Sequence, residues 1–197
     1  MQSIGYSIKY QLLNAADYRI PQDRFRVFFV GIRNDLQNTF TFPTAVTDKK
    51  ITLKEAIGDI IESPRFFNEE TITEEHPTRK NHDVYTGSYD AKYMARNRVR
   101  SWNEQSFTIQ AQARNEPQHP QAPKMTYISS DKRIFAKGYE LLYRRLSVRE
   151  CARIQTFPDS FVFIYTDIKN GYKMVGNAVP PRLAYAIAIQ IRNALPQ

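Results

Sequence analysis

The sequence contains very little cysteine and histidine. Its single cysteine, Cys151, excludes an internal disulfide framework and a cysteine-rich zinc site, and it suits a reducing compartment. The three histidines argue against a histidine-based metal site as well. The chain also lacks an apolar run long enough to span a bilayer and a recognisable signal peptide. We therefore expect a soluble, cytoplasmic protein that binds no metal.

Positive charge, by contrast, is in excess. The 197 residues carry a formal net charge of +8 at pH 7, and the sequence pI is about 9.6. Polyanions such as nucleic acids are the natural partners of such a chain. Hydrophobic residues make up 42% of the sequence and aromatic residues 13%, which argues against a disordered basic tail. The length suits one domain, or one domain with a small additional lobe.

One short stretch, RRLSVRECARIQTFP at residues 144–158, has a clear helical pattern. Ser147 and Glu150 have the spacing of a capping box, and the proline at the end predicts termination of the helix. The pattern gives an apolar face of Val148, Cys151, Ala152 and Ile154, and a second face of Arg145, Arg149 and Arg153. From the pattern alone, a solvated basic face on an ordinary surface helix is the simplest interpretation of these arginines.

Two predicted strands near the start of the chain flank a cluster of polar side chains. Residues 7–13, SIKYQLL, and residues 26–32, RVFFVGI, predict strands that could pair antiparallel at a sheet edge. The continuous apolar run of the second predicts a strand buried on both faces. Gln22, Arg24 and Arg26 alternate at its entrance, so their side chains should converge and could hold a phosphate, a carboxylate or an ordered loop. Equally, these charges could protect an edge strand from aggregation.

The middle of the chain differs in composition from both ends. A helix is predicted at Thr52–Ile61, where Thr52 and Glu55 form a second capping box. From residue 63 to about 122 the sequence is polar and tyrosine-rich, and an acidic patch, Glu69–Glu75, precedes a basic segment with interleaved aromatics. This mixture suits a loop-rich lobe that contacts nucleic acid, although a loop-rich insertion with a solvated surface fits it equally well. A short strand is predicted at Ser106–Ile109.

The last segment, YKMVGNAVPP at residues 172–181, precedes a predicted helix from about Arg182 to Ala194. Prolines suit a first helical turn, because their missing amides cost nothing there. The helix is apolar nearly all round, so we expect it to lie against a sheet. Gly176-Asn177 before a helix N-terminus predicts a polar turn with free amides, a fair place for a ligand carboxylate or hydroxyl, although most Gly-Asn turns are only turns.

Three of these stretches together resemble a known family. In this order, IPQDRFRVFFVGIR, RRLSVRECARIQTFPD and YKMVGNAVPP resemble the last three conserved blocks of DNA (cytosine-5) methyltransferases, which place a target recognition domain between the first two. The resemblance implies an α/β fold: the C-terminal part of a doubly wound S-adenosylmethionine-dependent methyltransferase sheet, plus a small, loop-rich, mixed α/β recognition domain. It assigns residues 1–62 and 144–197 to the catalytic domain and residues 63–143 to the recognition domain. One departure is Arg19, where the family usually has glycine, and arginine would be strained there if the turn needs a positive φ.

The resemblance also implies roles for particular residues. Family members use the Q-x-R-x-R residues beside the flipped cytosine, with the second arginine helping to organise the pocket; here these are Gln22, Arg24 and Arg26. The residues expected beside S-adenosylmethionine are Asn177, Ala178 and Val179. The residues expected on double-stranded DNA are Arg96, Arg98, Arg100 and Arg114, taken from the basic composition of the middle segment, and Thr108, whose SFTIQ stretch resembles a threonine-containing element near the end of the recognition domain. The helix residues expected to be mainly structural are Arg149, Glu150 and Arg153.

Other elements of the family's chemistry are not found in the sequence. There is no Pro-Cys dipeptide for the thiolate that attacks C6 of the base, no Glu-Asn-Val block and no glycine-rich turn for the cofactor. Cys151 lies on an apolar helix face and is expected to be an inert core residue. We therefore expect the C-terminal part or subunit of a restriction-modification DNA (cytosine-5-)-methyltransferase, inactive alone and completed by a partner polypeptide. The alternatives are a non-catalytic, sequence-specific DNA-binding module and an inactive truncated remnant.

Overall fold

The computed structural model describes residues 5–36, 38–46, 49–67 and 78–196, and the predicted acidic patch Glu69–Glu75 lies outside them. The strands of the described part are β1 (Tyr6–Asn14), β2 (Phe25–Arg33), β3 (Arg65–Phe67), β4 (Asp83–Tyr85), β5 (Thr126–Ser129) and β6 (Lys132–Ile134). Its α-helices are α1 (Leu53–Ile57), α2 (Ala91–Met94), α3 (Val148–Ile154), α4 (Ile168–Asn177) and α5 (Pro181–Asn193). The strands form two-stranded sheets, of which β1–β2 and β5–β6 are antiparallel and β3–β4 is parallel. No helix among these residues is both long and apolar enough to cross a membrane.

Strands β1 and β2 form a long antiparallel pair, as predicted. Their register joins Tyr6 to Arg33 at one end and Asn14 to Phe25 at the other. One face of the pair is buried against α5, in a core cluster that includes Leu13, Val30, Ile32, Leu183 and Ile187. The prediction that β2 is buried on both faces is wrong, because the described residues cover only one of them and Phe29, on the other, is 70% exposed.

Helix α3 lies within a large core cluster. It begins with the predicted capping box, in which the Glu150 amide donates to Ser147 Oγ and the Ser147 amide donates to the Glu150 carboxylate. Its apolar positions are fully buried, and they pack with residues of α1 and α4 such as Leu53, Ile57, Tyr172 and Val175. Helix α1 also has its predicted capping box, but it ends at Ile57 rather than Ile61 because Gly58, a poor helix former, follows.

The middle region, residues 63–143, consists of short elements joined by loops, as its composition predicts. A small core cluster within it contains Val99, Ala122, Met125 and Tyr143. The prediction of a strand at Ser106–Ile109 is wrong, since this segment forms only a single bridge, between Gln22 and Ser106. The Asp23 amide donates to the Ser106 carbonyl, and the Ser106 amide donates to that of Pro21, both at 2.9 Å. These bonds tie the middle region to the entrance of β2.

Helices α4 and α5 correct two predictions for the last segment. Helix α5 has nearly the predicted bounds, but only one side is buried, and Tyr185 on the other side is 69% exposed. Gly176 and Asn177 form the last turn of α4 rather than a turn that precedes a helix N-terminus. The last carbonyls of a helix lack intrahelical partners. This position therefore presents carbonyl oxygens instead of the free amides that the sequence predicts.

Candidate functional site

A cleft of about 260 Å³ lies where the entrance of β2 meets the end of α4. The residues that line it are Arg24, Arg26, Val27, Phe28, Asn177, Ala178, Val179, Pro180 and Leu183. Two predicted groups, the arginines beside the base and the residues beside the cofactor, therefore share one cleft although they are far apart in sequence. Small-molecule pockets usually have volumes of roughly 300–1,000 Å³. The cleft among the described residues is therefore slightly smaller than this usual range.

Arg24 is buried and holds this cleft together. Its guanidinium donates to the carbonyl of Ile109 at 3.1 Å and to that of Gly176 at 2.9 Å. The second of these oxygens belongs to the last turn of α4, where side-chain donors commonly replace the missing helical bonds. Burial, followed by repulsion from Arg26, lowers the pKa of Arg24 to about 10, so the side chain stays charged at neutral pH. Arg24 therefore joins β2, the middle region and α4.

Gln22 and Arg26 differ in how far their side chains are already engaged. Gln22 is fully buried; its amide nitrogen donates to Gln155 Oε1 at 3.2 Å, and its Oε1 accepts from the Ile109 amide at 2.8 Å. Arg26 is exposed, and its one hydrogen bond to the described residues goes to the carbonyl of Phe25 at 2.7 Å. The three side chains do lie in one region, but only Arg26 keeps most of its five donors open to a ligand.

The opposite side of the cleft is the end of α4 and the turn into α5. Asn177 and Val179 are exposed there, and Val27 continues the apolar surface across the cleft. Gly176 permits a close approach to the middle region, because a Cβ at this position would collide with the carbonyl of Gln110. An exposed amide beside an apolar wall fits S-adenosylmethionine, which has an amino-acid group and an adenine ring. Among the described residues, no group of three or more His, Cys, Asp or Glu side chains is arranged to hold a metal.

A second cleft, of about 240 Å³, lies on the middle region. It brings together three of the predicted DNA contacts, Arg96, Arg98 and Thr108, and Phe107, one of the aromatics interleaved with the cations. Its other lining residues, which the sequence analysis does not single out, are Asn97, Gln110, Asn115 and Pro117. The only sequence signal for these is their nearness to the predicted positions. Arg96 is exposed, and its side chain makes no hydrogen bond or ion pair with the described residues. Arg98 donates to the Tyr93 carbonyl at 3.0 Å and lies over the Tyr93 ring.

The other two predicted DNA contacts do not line this cleft. Arg100 donates to Asp23 at 3.3 Å and to Glu104 at 3.2 Å, and it lies 4.3 Å from the centre of the Phe107 ring. Arg114 lies in a short 3₁₀ turn, and its carbonyl accepts from the Arg145 side chain. The contacts of Arg100 hold the entrance of β2 against the middle region, so a side chain that the basic composition assigns to DNA has a structural use.

The arginines around α3 do not form a solvated basic face. Arg145 and Arg149 are each 1% exposed. Arg145 donates to the main-chain carbonyls of residues 85, 87 and 88, and Arg149 to those of residues 80, 158 and 161. Arg153 is more accessible and pairs with Asp59 and Asp159. The surface interpretation is wrong because segments outside the helix, at residues 80–88 and 158–161, surround it with carbonyl groups that its own spacing cannot reveal.

Glu150 is fully buried at the start of α3, within a network of charged and polar groups. It accepts two hydrogen bonds from Arg144, at 2.7 and 2.8 Å, and its Oε1 lies 3.5 Å from His119 Nε2. Burial alone would raise the pKa of Glu150, but the charge and hydrogen bonds of Arg144 outweigh it and hold the pKa at about 2. Burial lowers the pKa of His119 to about 4, so this ring is neutral at pH 7. These contacts support a structural role for Glu150.

Cys151 is fully buried, and its sulfur lies 3.7 Å from Glu116 Oε2. Burial, followed by the neighbouring carboxylates Glu116 and Glu150, raises the pKa of the Cys151 thiol well above its usual value. Burial likewise raises the pKa of Glu116 well above its usual value, and its Oε1 has no hydrogen-bond partner among the described residues. The burial of Glu116 is not predicted from the sequence, because an isolated glutamate in a polar segment is normally exposed to solvent.

The chain belongs to the C-5 cytosine-specific DNA methylase family, which it matches over residues 1–193. It is 52% identical over 192 residues to the type II methyltransferase M.MthTI of Methanothermobacter thermautotrophicus, and 47% identical over 197 residues to the type II methyltransferase M.FnuDI of Fusobacterium nucleatum. Each match covers 98% of this chain but only 58% and 57% of the relatives, so the chain spans a little over half their length. The fold is similar to that of a protein encoded within a prophage (E. coli) and described as a DNA modification methyltransferase. The two structures have a TM-score of 0.63 and 20% sequence identity, and the match covers 98% of this chain and 62% of the other.

Proposed function

We propose that the chain is the C-terminal portion or subunit of a DNA (cytosine-5-)-methyltransferase of a restriction-modification system. Such an enzyme transfers a methyl group from S-adenosylmethionine to C5 of cytosine within a specific duplex sequence. Residues 63–143 act as the target recognition domain, and the flanking residues form part of the cofactor and base pocket. The observation that carries the proposal is the cleft of about 260 Å³, in which the two blocks that the family places beside base and cofactor meet.

In this proposal Asn177, Ala178 and Val179 form the cofactor-side wall, and S-adenosylmethionine supplies the methyl group when bound there. The Asn177 amide can both donate and accept hydrogen bonds, and Val179 offers an apolar contact. Arg26, across the cleft, directs its open donors toward a cytosine that has been flipped out of the duplex. Unstacking and unpairing that base costs a few kcal/mol. Gln22 is fully buried and does not line the cleft, and the Arg24 guanidinium, which does line it, already donates to the carbonyls of Ile109 and Gly176. Both are therefore positioning residues that hold the cleft in shape.

The proposed substrate is double-stranded DNA, bound by the middle region in the cytoplasm. The net charge of +8 and the open guanidinium of Arg96 support this assignment, because phosphate contacts by arginine and lysine provide most of the affinity for a duplex. Arg98 and Thr108 line the same cleft as Arg96. Arg114 remains a proposed DNA contact. Arg100 remains one as well, with the least support, because Asp23 and Glu104 already engage its side chain.

Methylation at C5 begins with attack of a thiolate on C6 of the base, and a second polypeptide is proposed to supply that thiolate. Cys151, the single cysteine of the sequence, is fully buried, and its raised pKa keeps it protonated. Only the thiolate form is an effective nucleophile. The partner would carry the Pro-Cys dipeptide, the Glu-Asn-Val carboxylate and the glycine-rich turn of the family.

The test is transfer of a labelled methyl group from S-adenosylmethionine to duplex DNA. We expect the purified chain to bind a duplex but to transfer no label, and we expect transfer after it is mixed with a polypeptide that carries the missing blocks. A partner in which serine replaces the Pro-Cys cysteine is the control and should restore nothing. Transfer by the lone chain would contradict the proposal. A stable complex that binds DNA without transferring label would favour a non-catalytic DNA-binding module.

A further inference from the structure

A third cleft, of about 530 Å³, lies along the exposed face of α4. This α4 cleft is lined from the helix by Asn170, Lys173, Met174 and Asn177, and from the preceding segment by residues that include Ile164. The helical residues are three or four positions apart, so they lie on one side of α4. Asn177 also lines the cleft that holds the other predicted cofactor residues, so the two clefts meet at this side chain.

The α4 cleft provides space that the smaller cleft lacks. The smaller one, at about 260 Å³, is below the roughly 300–1,000 Å³ of ordinary small-molecule pockets. The α4 cleft continues from Asn177 toward the start of the helix, and Ile164 and Met174 provide apolar surface there, with exposed fractions of 77% and 45%. A ligand of the size of S-adenosylmethionine that contacts Asn177 can therefore extend along α4.

Lys173 supplies the charge of the α4 cleft. Among the described residues that line this cleft, no other side chain is a cation or an anion. Lys173 is exposed, and its ammonium makes no hydrogen bond or ion pair with the described residues. It lies four positions before Asn177, so the two side chains are neighbours on the helix. Its three donors are therefore open to a ligand with anionic oxygens.

The charges of S-adenosylmethionine match this arrangement. The molecule carries a positive sulfonium, and its amino-acid end carries an ammonium and a carboxylate. The C-terminal end of a helix bears partial negative charge, which favours cations and disfavours anions. The end of α4 at Asn177 therefore suits the positive groups of the cofactor, whereas its carboxylate needs a cation of the protein. Lys173, one turn before that end, is such a cation.

We propose that Lys173 is a cofactor-binding residue that pairs with the carboxylate of S-adenosylmethionine, and that the α4 cleft holds the amino-acid end of the cofactor. This inference rests on the proposed function, which places the cofactor at Asn177, Ala178 and Val179. It adds a residue and a cleft that the proposed function does not include.

Calorimetric titration with two related ligands tests the inference. Decarboxylated S-adenosylmethionine keeps the sulfonium and the ammonium but lacks the carboxylate. The protein is the complex of the chain with the polypeptide that carries the missing blocks. There we expect Lys173→Gln to weaken binding of S-adenosylmethionine about tenfold or more, because a hydrogen bond between charged groups is lost. Binding of the decarboxylated ligand should stay unchanged, and Lys173→Arg should retain most of the affinity for S-adenosylmethionine.

Lys54→Gln is the matched control, because it removes the same charge from an exposed position of α1 that lines neither cleft. It should leave both affinities unchanged. Equal weakening of both ligands by Lys173→Gln, or of neither, would overturn this inference and leave the proposed function standing. Loss of duplex affinity without loss of cofactor affinity would also overturn it and would assign Lys173 to a DNA phosphate. Failure of the wild-type complex to bind S-adenosylmethionine would contradict the proposed function, and the role of Lys173 with it.

Discussion

Arg24 and Arg26 lie two positions apart, yet their surroundings give them different roles. Arg24 donates to carbonyls of two other segments and is only 5% exposed. Arg26 bonds only to the neighbouring Phe25 carbonyl among the described residues. Sequence alone predicts that the Q-x-R-x-R side chains converge, but it cannot show which of them already donates its hydrogen bonds to other groups of the protein. That distinction depends on where α4 ends, and the sequence predicts a turn at Gly176-Asn177 instead of the end of a helix.

Substitution of the two arginines by methionine should separate their roles. Arg24→Met leaves buried carbonyls without donors, so we expect the free energy of unfolding to fall by about 2–4 kcal/mol. Arg26→Met should change it by less than about 0.5 kcal/mol, as for other surface positions. In the reconstituted enzyme Arg26→Met should instead lower turnover about 100-fold, with duplex affinity nearly unchanged. Urea denaturation and methyl-transfer kinetics measure these effects, and equal losses of turnover and affinity for Arg26→Met would contradict its assigned role.

Arg19 has a φ of 59°, so the turn before the Ile-Pro-Gln stretch does adopt the left-handed conformation. Residues with a Cβ are strained there by roughly 1–2 kcal/mol. Arg19→Gly and Arg19→Ala remove the same side-chain contacts, so their difference isolates the backbone. We expect the glycine variant to be about 1 kcal/mol more stable than the alanine variant in urea denaturation. Equal stabilities would mean that the turn stores no such strain.

Helix α3 shows what a pattern of one element can and cannot predict. Its capping box and apolar face are local, and the sequence predicts both. The partners of Arg145 and Arg149 are carbonyls of the segments at residues 80–88, which include β4, and 158–161, and the position of these segments depends on the whole fold. Arginine is suited to such sites because its planar group has five donors and remains charged. A short helix can therefore be surrounded by buried arginines without any signal in its own spacing.

The network at the start of α3 should make stability fall in mild acid. The pKa of His119 is about 4 in the folded protein, below the value of about 6.5 for an unfolded histidine. The unfolded state therefore binds the proton first, and stability is lost as the pH falls from about 6.5 toward 4. Between about pH 6.5 and pH 5 we expect His119 to account for a loss of about 1.5–2 kcal/mol.

Urea denaturation of wild-type protein and of His119→Gln over this pH range measures the effect. Glutamine cannot titrate, so the variant should lack the loss that His119 causes. The raised pKa of Glu116 has the opposite effect, because it makes stability rise as the pH falls. Glu116 is present in both proteins, so its contribution cancels when their stabilities are compared. Glu150 contributes chiefly below about pH 4.5, outside the range. Parallel pH profiles for the two proteins would show that His119 does not titrate as its burial implies.

At the scale of the whole molecule, the sequence predicts the β1–β2 pair, the bounds of α5 and the family. It cannot predict how much of each surface is covered. A run such as RVFFVGI normally indicates a strand buried on both faces, and here the described residues cover one face and leave Phe29 exposed. Apolar periodicity indicates that a strand carries large apolar side chains on both faces, but it does not show which of these faces the rest of the chain covers.

The distribution of charge leads to a prediction about DNA binding by the whole chain. The net charge of +8 attracts any duplex, but only cations that contact phosphates release counterions. Arg96→Ala should reduce the slope of log affinity against log salt by about 0.9, measured by fluorescence anisotropy on a mixed-sequence duplex. Arg192→Ala is the matched control, because it removes the same charge from the exposed side of α5, outside the middle region. If both variants changed the slope equally, binding would depend on net charge alone, and the cleft around Arg96 would not be the surface that holds the duplex.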